Sequence, residues 1–160
     1  MGIAWLLTTR GIPQFYYGDE ILMKGLTNPD GLVRLDFKGG WPEDKHSKFS
    51  AAGRTTAENE AFNFVKKLAV YRKNSPVLQT GKLMQYVPEN GVYVYFRYDA
   101  AKTVMVVMNT NNTDTNVSTA RFSERIGKAS KAVNVLTDES TTLSENLNVP
   151  AQTTSVFELN

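Results

Sequence analysis

The chain contains no cysteine, which excludes disulfides, thiol nucleophiles and thiolate metal sites and leaves the compartment undefined. Histidine is almost as scarce. His46 is the only one, set in the polar run EDKHSK, and without a second histidine or a cysteine it anchors neither a zinc site nor a nucleophile-base pair. It reads as a solvated loop residue. Ser47 and Ser50 lack the strand-turn-helix context and flanking glycines of a nucleophile elbow. Charge of one sign is also lacking. The formal net charge is +2 with the basic residues scattered, so nothing marks a phosphate-binding surface or a polybasic anchor, and neither nucleic acid nor membrane is an expected partner. No long hydrophobic run is present. The opening MGIAWLLTTRG is too short to span a bilayer and has neither the basic leader nor the small-residue cleavage site of a signal peptide. Internal repeats and low-complexity tracts are absent.

What remains is the composition of a folded protein. With 160 residues, 41% hydrophobic and 21% charged, the chain can bury a real core as one domain or slightly more. Ile3, Ala4, Leu6 and Leu7, with no cap residue ahead of them, read as the last turns of a helix that begins earlier and is ended by Gly11 and Pro13. In GIPQFYYGDE, residues 11–20, bulky groups fall on both faces of an extended segment, as expected of a strand covered on both sides in a parallel sheet. A stretch from about Met23 to Gly53, rich in Gly, Pro, Asn and Asp, reads as a long loop, a feature usually functional or disordered. Thr55 and Glu58 have capping-box spacing, and Ala61, Phe64, Val65 and Leu68 then share one side of a helix of about four turns. Ser75 before Pro76 disfavours its continuation, so it ends near Asn74.

Beyond Gly81 the period changes to two, in LMQYV, GVYVYFRY, VMVVMNT, VNVLTD and TSVFEL. GVYVYFRY and VMVVMNT, joined by DAAKT, predict an antiparallel hairpin. The whole predicts a small antiparallel β-sandwich forming a second domain over 81–160.

Three clusters carry chemistry worth weighing. Asp19 and Glu20 are consecutive, and on a strand neighbouring side chains point to opposite faces, so they do not converge as the two carboxyls a glycosidase sets about 5 Å apart around one bond; a structural role at the loop entry is preferred. DGLVRLDFKGGW places Asp30, Arg34 and Asp36 beside Trp41, a mixture suited to sugar hydroxyls and apolar ring faces. An Arg-Asp ion pair stapling the loop explains the same residues. Tyr93, Tyr95 and Arg97 alternate on one strand face. They could form a stacking platform, but cross-strand packing is the preferred reading. The triplets at Asn111 and Asn116 support no conclusion.

In order, these segments resemble the α-amylase superfamily of glycoside hydrolases. GIPQFYYGDE resembles its eighth-strand motif, and MGIAWLLTTR the end of the seventh barrel helix. NPDGLVRLDFKGGW resembles the loop after the eighth strand in neopullulanases and cyclomaltodextrinases. KKLAVYRKNSPVLQTGKL is similar to the last barrel helix and its exit, and the strands through NVPAQTTSVFEL to the C-terminal β-sandwich. The resemblance implies an α+β chain. Residues 1–80 would be the last portion of an incomplete (β/α)8 barrel with a long loop on the active-site side, and residues 81–160 the antiparallel β-sandwich. It further implies a C-terminal fragment of a retaining α-glucan hydrolase, closest to periplasmic bacterial neopullulanases, with no cofactor in the reaction. The nucleophile, acid/base and third carboxylate lie on earlier barrel strands, so no catalytic and no metal-binding residue maps here, and the chain alone is expected to be inactive. Active sites of such barrels lie at the C-terminal ends of the strands. By resemblance, Asn28, Asp30 and Arg34 are the substrate-binding candidates, toward an α-glucan oligosaccharide or polysaccharide. The remaining expected partner is the missing N-terminal barrel portion of the same protein.

Overall fold

The period-two segments become strands in a computed structural model that describes residues 1–160. In chain order these are β1 (Lys82–Gln85), β2 (Val92–Tyr98), β3 (Thr103–Asn109), β4 (Thr115–Ser118), β5 (Lys131–Asn134), β6 (Ser140–Thr142), β7 (Asn146–Val149) and β8 (Thr153–Leu159). Six of them form one sheet in the order β1-β2-β3-β8-β5-β6, and β4 pairs with β7 in a second. Every pairing is antiparallel. The expected hairpin is β2–β3. Its register sets Tyr98 opposite Thr103, so the connection is one residue shorter than DAAKT, and Asp99 closes it by accepting from the backbone N–H groups of Ala101 and Lys102, both at 2.8 Å.

Alternation along β2 and β3 sends Val94, Phe96, Met105 and Val107 to one face, where they meet Leu147 and Val149 of β7 together with Phe122. Burying each such side chain contributes about 1.5–3 kcal/mol before the entropy of ordering it. Tyr86 stands edge-on to Phe122, with ring centroids 4.8 Å apart. The opposite face of the sheet is covered too. Val104, Val106 and Val156 are buried there, on the side that carries Tyr95 and Arg97. Two buried faces explain why these strands read as nearly continuous apolar runs.

Helix α1 spans Gly2–Thr8, α2 Thr56–Lys73, α3 Pro76–Gln79 and α4 Ser123–Ile126. α2 has 18 residues, about five turns where four were expected. α3 was not expected; Pro76 begins it at a position where its missing N–H has no consequence. The capping box forms as the spacing predicts: the Thr55 N–H donates to Glu58 Oε2 at 2.6 Å, and the Glu58 N–H to Thr55 Oγ1 at 3.3 Å.

The chain divides into two compact units. One comprises residues 1–13 with 68–160, the other residues 14–67. This division differs from the expected boundary after residue 80. The second unit is built from 3-10 turns at Asp19–Ile21, Asp30–Val33 and Ala51–Gly53 ahead of the first part of α2. Gly18, at φ 90°, turns the chain into the first of these.

One expectation is overturned. GIPQFYYGDE forms no strand: residues 12–16 are irregular, and Ile12 is 97% exposed. A strand exists only through its ladder with a neighbour, and no segment of this chain supplies one. No part of a barrel is therefore formed here; the regular architecture is the antiparallel β-domain with its flanking helices.

Candidate functional site

The segment singled out as substrate-facing lies in the 14–67 unit. Its entry is fixed by Gly18. A side chain there would collide with Met23, and the Gly18 N–H donates to Glu20 Oε2 at 2.9 Å. Glu20 is thus folded back on its own turn. Asp19 and Glu20 open a 3-10 turn rather than sitting on a strand, but the structural role preferred for Glu20 is the one observed.

Tyr16 and Tyr17 lie side by side, ring centroids 4.8 Å apart. The Tyr17 hydroxyl donates to the Leu35 carbonyl at 3.0 Å, fastening the loop that carries the candidate residues. Partial burial, then Tyr16 and the Asp36 carboxylate, hold the Tyr17 hydroxyl above its ordinary pKa. Around these rings, Asp19, Met23, Lys24 and Leu32 help line a cavity of about 180 Å³. That is smaller than a site enclosing a drug-sized ligand.

Asp30 and Arg34 come together. Arg34 Nη2 stands 2.9 Å from Asp30 Oδ2 across the 3-10 turn, with the side chains 63% and 69% exposed. The ion pair foreseen as the alternative to sugar binding is therefore present, yet it is open to solvent and contributes at most about 1 kcal/mol. Asn28 lies exposed just ahead of the turn. Trp41 is 58% exposed. Its position is set by Asp44, whose Oδ2 accepts from the Gly39 N–H at 2.6 Å and the Trp41 N–H at 3.2 Å. Those bonds hold the Asp44 carboxyl below the usual carboxylate range. A second fastening joins Lys48 Nζ to Glu58 Oε2 at 2.5 Å, and Arg54 lies 3.8 Å over the Phe62 ring.

In the other unit, the Tyr93–Tyr95–Arg97 face is no platform. Tyr95 is 1% and Arg97 0% exposed. The Tyr95 hydroxyl is 2.5 Å from Thr8 Oγ1, and burial pushes its pKa up. Arg97 donates to the carbonyls of Thr8 at 3.1 Å, Thr9 at 2.7 Å and Gly81 at 3.0 Å. Packing, the preferred reading, is what the structure contains. Sequence reasoning gave no role to Arg72, which reaches the carbonyls of Leu7 at 3.0 Å and Gly11 at 2.6 Å. Its only signal was an arginine near the end of an amphipathic helix.

Residues 83–158 match the family model of the cyclo-malto-dextrinase C-terminal domain. The chain is 32% identical over 117 residues to a cyclomaltodextrin glucanotransferase of Bacillus sp. (strain 6.6.3), covering 72% of this chain and 14% of that protein. It is 34% identical over 122 residues to a cyclomaltodextrin glucanotransferase of Bacillus licheniformis, covering 74% of this chain and 15% of the relative. An Anoxybacillus α-amylase structure superposes with a TM-score of 0.73 at 20% identity, covering 99% of this chain and 31% of that one. The chain thus spans about a seventh of the two transferases' lengths. Sequence and fold together make its C-terminal half a C-terminal β-domain of the α-amylase family.

Proposed function

We propose that the chain is the C-terminal part of a retaining α-glucan hydrolase of the neopullulanase and cyclomaltodextrinase type, periplasmic in location, and that it lines one side of the glucan cleft without supplying a catalytic group. The observation that carries this reading is the state of its carboxylates. Glu20 is turned onto Gly18, Asp30 onto Arg34, Asp44 onto Gly39 and Trp41, and Glu58 onto Lys48 and Thr55. Cleavage with retention needs two carboxyls about 5 Å apart around one bond. These acids instead hold their own loops.

Asn28, Asp30 and Arg34 are assigned to the sugar, away from the cleaved bond. An exposed guanidinium-carboxylate pair offers sugar hydroxyls both donors and acceptors, and the nearby cavity is a wall rather than an enclosure. The rest of the same protein is the second partner. Ile12, Leu26, Trp41 and Phe49 are exposed apolar side chains, which a preceding barrel would cover. The test is incubation of the 160-residue chain with starch, pullulan or cyclodextrin, beside the protein translated from an upstream-extended reading frame. Sugar release by the extended protein alone supports the reading, and release by the chain itself refutes it.

A further inference from the structure

Three arginines of the 1–13 and 68–160 unit gather around the end of α1 without a carboxylate among them. Arg72 is 9% exposed and Arg97 fully buried. Their hydrogen bonds run to the backbone carbonyls of Leu7, Thr8, Thr9, Gly11 and Gly81. Carbonyls at a helix C-terminus satisfy guanidinium donors and carry a fraction of a negative charge, but they leave most of two buried positive charges uncompensated. Arg97 Nε has no partner. Ion pairs elsewhere in the chain engage Arg34, Lys48, Lys102, Arg121 and Arg125. The third arginine, Arg10, is exposed; burial first, then Arg72 and to a lesser extent Arg10, lower the pKa of Arg97.

Arg10 and Arg72 also line one open cavity of about 620 Å³, together with Gly11, Gln79, Thr80 and Gly81. We propose that this cavity is an oxyanion site, in which Arg10 and Arg72 take a carboxylate or phosphate group and Arg97 reinforces the field from behind. The chemistry follows from the residue type. Guanidinium presents paired donors that match a planar or tetrahedral oxyanion, and it stays charged where an ammonium would lose its proton. Two sources of the anion fit: a carboxylate of the preceding part of the longer parent proposed above, or a free anion from solution.

The experiment is an NMR titration of the 160-residue chain with inorganic phosphate, and separately acetate, replacing chloride at constant ionic strength. The arginine Nε–Hε signals and the amides of Gly11, Thr80 and Gly81 are followed. The expected result is saturable shifts at these positions and a phosphate-dependent rise in the thermal midpoint. Arg10→Gln, an exposed residue with no hydrogen bond to lose, should keep the phosphate-free midpoint and bind about tenfold more weakly. Shifts that do not saturate, or that persist unchanged in Arg10→Gln, overturn the proposal. In the longer parent, loss of the phosphate response with a lower midpoint in Arg10→Gln identifies an internal carboxylate, and a retained response identifies a free anion. A parent that neither responds to phosphate nor is destabilised by Arg10→Gln overturns it as well.

Discussion

Tyr71 donates its hydroxyl proton to Glu158 Oε2 at 2.9 Å, while Lys102 Nζ stands 2.8 Å from Oε1 of the same carboxylate. One acid on the last strand thus ties the end of α2 to β8 and to the start of the β3 region. Tyr71→Phe removes the bond and keeps the ring. It should lower the unfolding free energy by about 1 kcal/mol, measured by denaturant titration with an unchanged slope.

Alkaline stability follows from Tyr71 and Tyr95. Burial first, then Glu158, raises the pKa of Tyr71 above its ordinary value of 10.0; burial raises that of Tyr95. A folded-state pKa above the unfolded one means that the unfolded chain loses its proton first. The contribution is therefore complete below pH 10 and is lost as the pH rises beyond it. Stability should fall with a slope of up to about 1.4 kcal/mol per pH unit for a group as buried as Tyr95. Tyr95→Phe should flatten that slope in a pH series of denaturant midpoints.

Acid sensitivity has the opposite sign and sits in the 14–67 unit. Bonds from Lys48 and the Thr55 N–H lower the Glu58 pKa, and bonds from the Gly39 and Trp41 N–H groups lower that of Asp44. Stabilisation by both is present above their ordinary values of 4.5 and 3.8 and is lost as the pH falls through the depressed folded values. Amide protection at Gly39 and Thr55, taken relative to the intrinsic exchange rate at each pH, should fall in that window. Glu58→Gln should abolish the pH dependence at Thr55 and leave that at Gly39.

Arg97→Met keeps a long apolar stem but strips the donors from the carbonyls of Thr8, Thr9 and Gly81. The expected loss is about 3 kcal/mol or more by denaturant titration. Arg97→Lys should recover little, because one ammonium cannot reproduce a fork that reaches both Thr8–Thr9 and Gly81.

The sequence carried the β-domain well because alternation in GVYVYFRY and VMVVMNT is a local signal. β4 and β7 escaped. In TNVS and NLNV, the buried Leu147 and Val149 and the core-facing Val117 are diluted by asparagine, serine and threonine. The strand expected in GIPQFYYGDE failed for a different reason, since extended sequence becomes a strand only beside a partner, and none lies within these residues. At the candidate site, an Arg-Asp ion pair was foreseen from residue types close together in a loop, but the 3-10 turn that sets Asp30 beside Arg34 was not. The role of Arg97 was not, because its acceptor Thr9 lies 88 positions away, and burial of a charge against backbone carbonyls leaves no pattern in sequence.

The assignment of Arg34 to the glucan is tested most directly by steady-state kinetics of the longer parent enzyme with Arg34→Ala. The side chain is exposed and its ion pair is worth little, so the thermal midpoint should stay unchanged. Loss of a contact away from the cleaved bond should raise KM for maltooligosaccharides several-fold and leave kcat nearly constant. Unaltered KM and kcat in a folded variant would contradict the placement of this loop on the cleft.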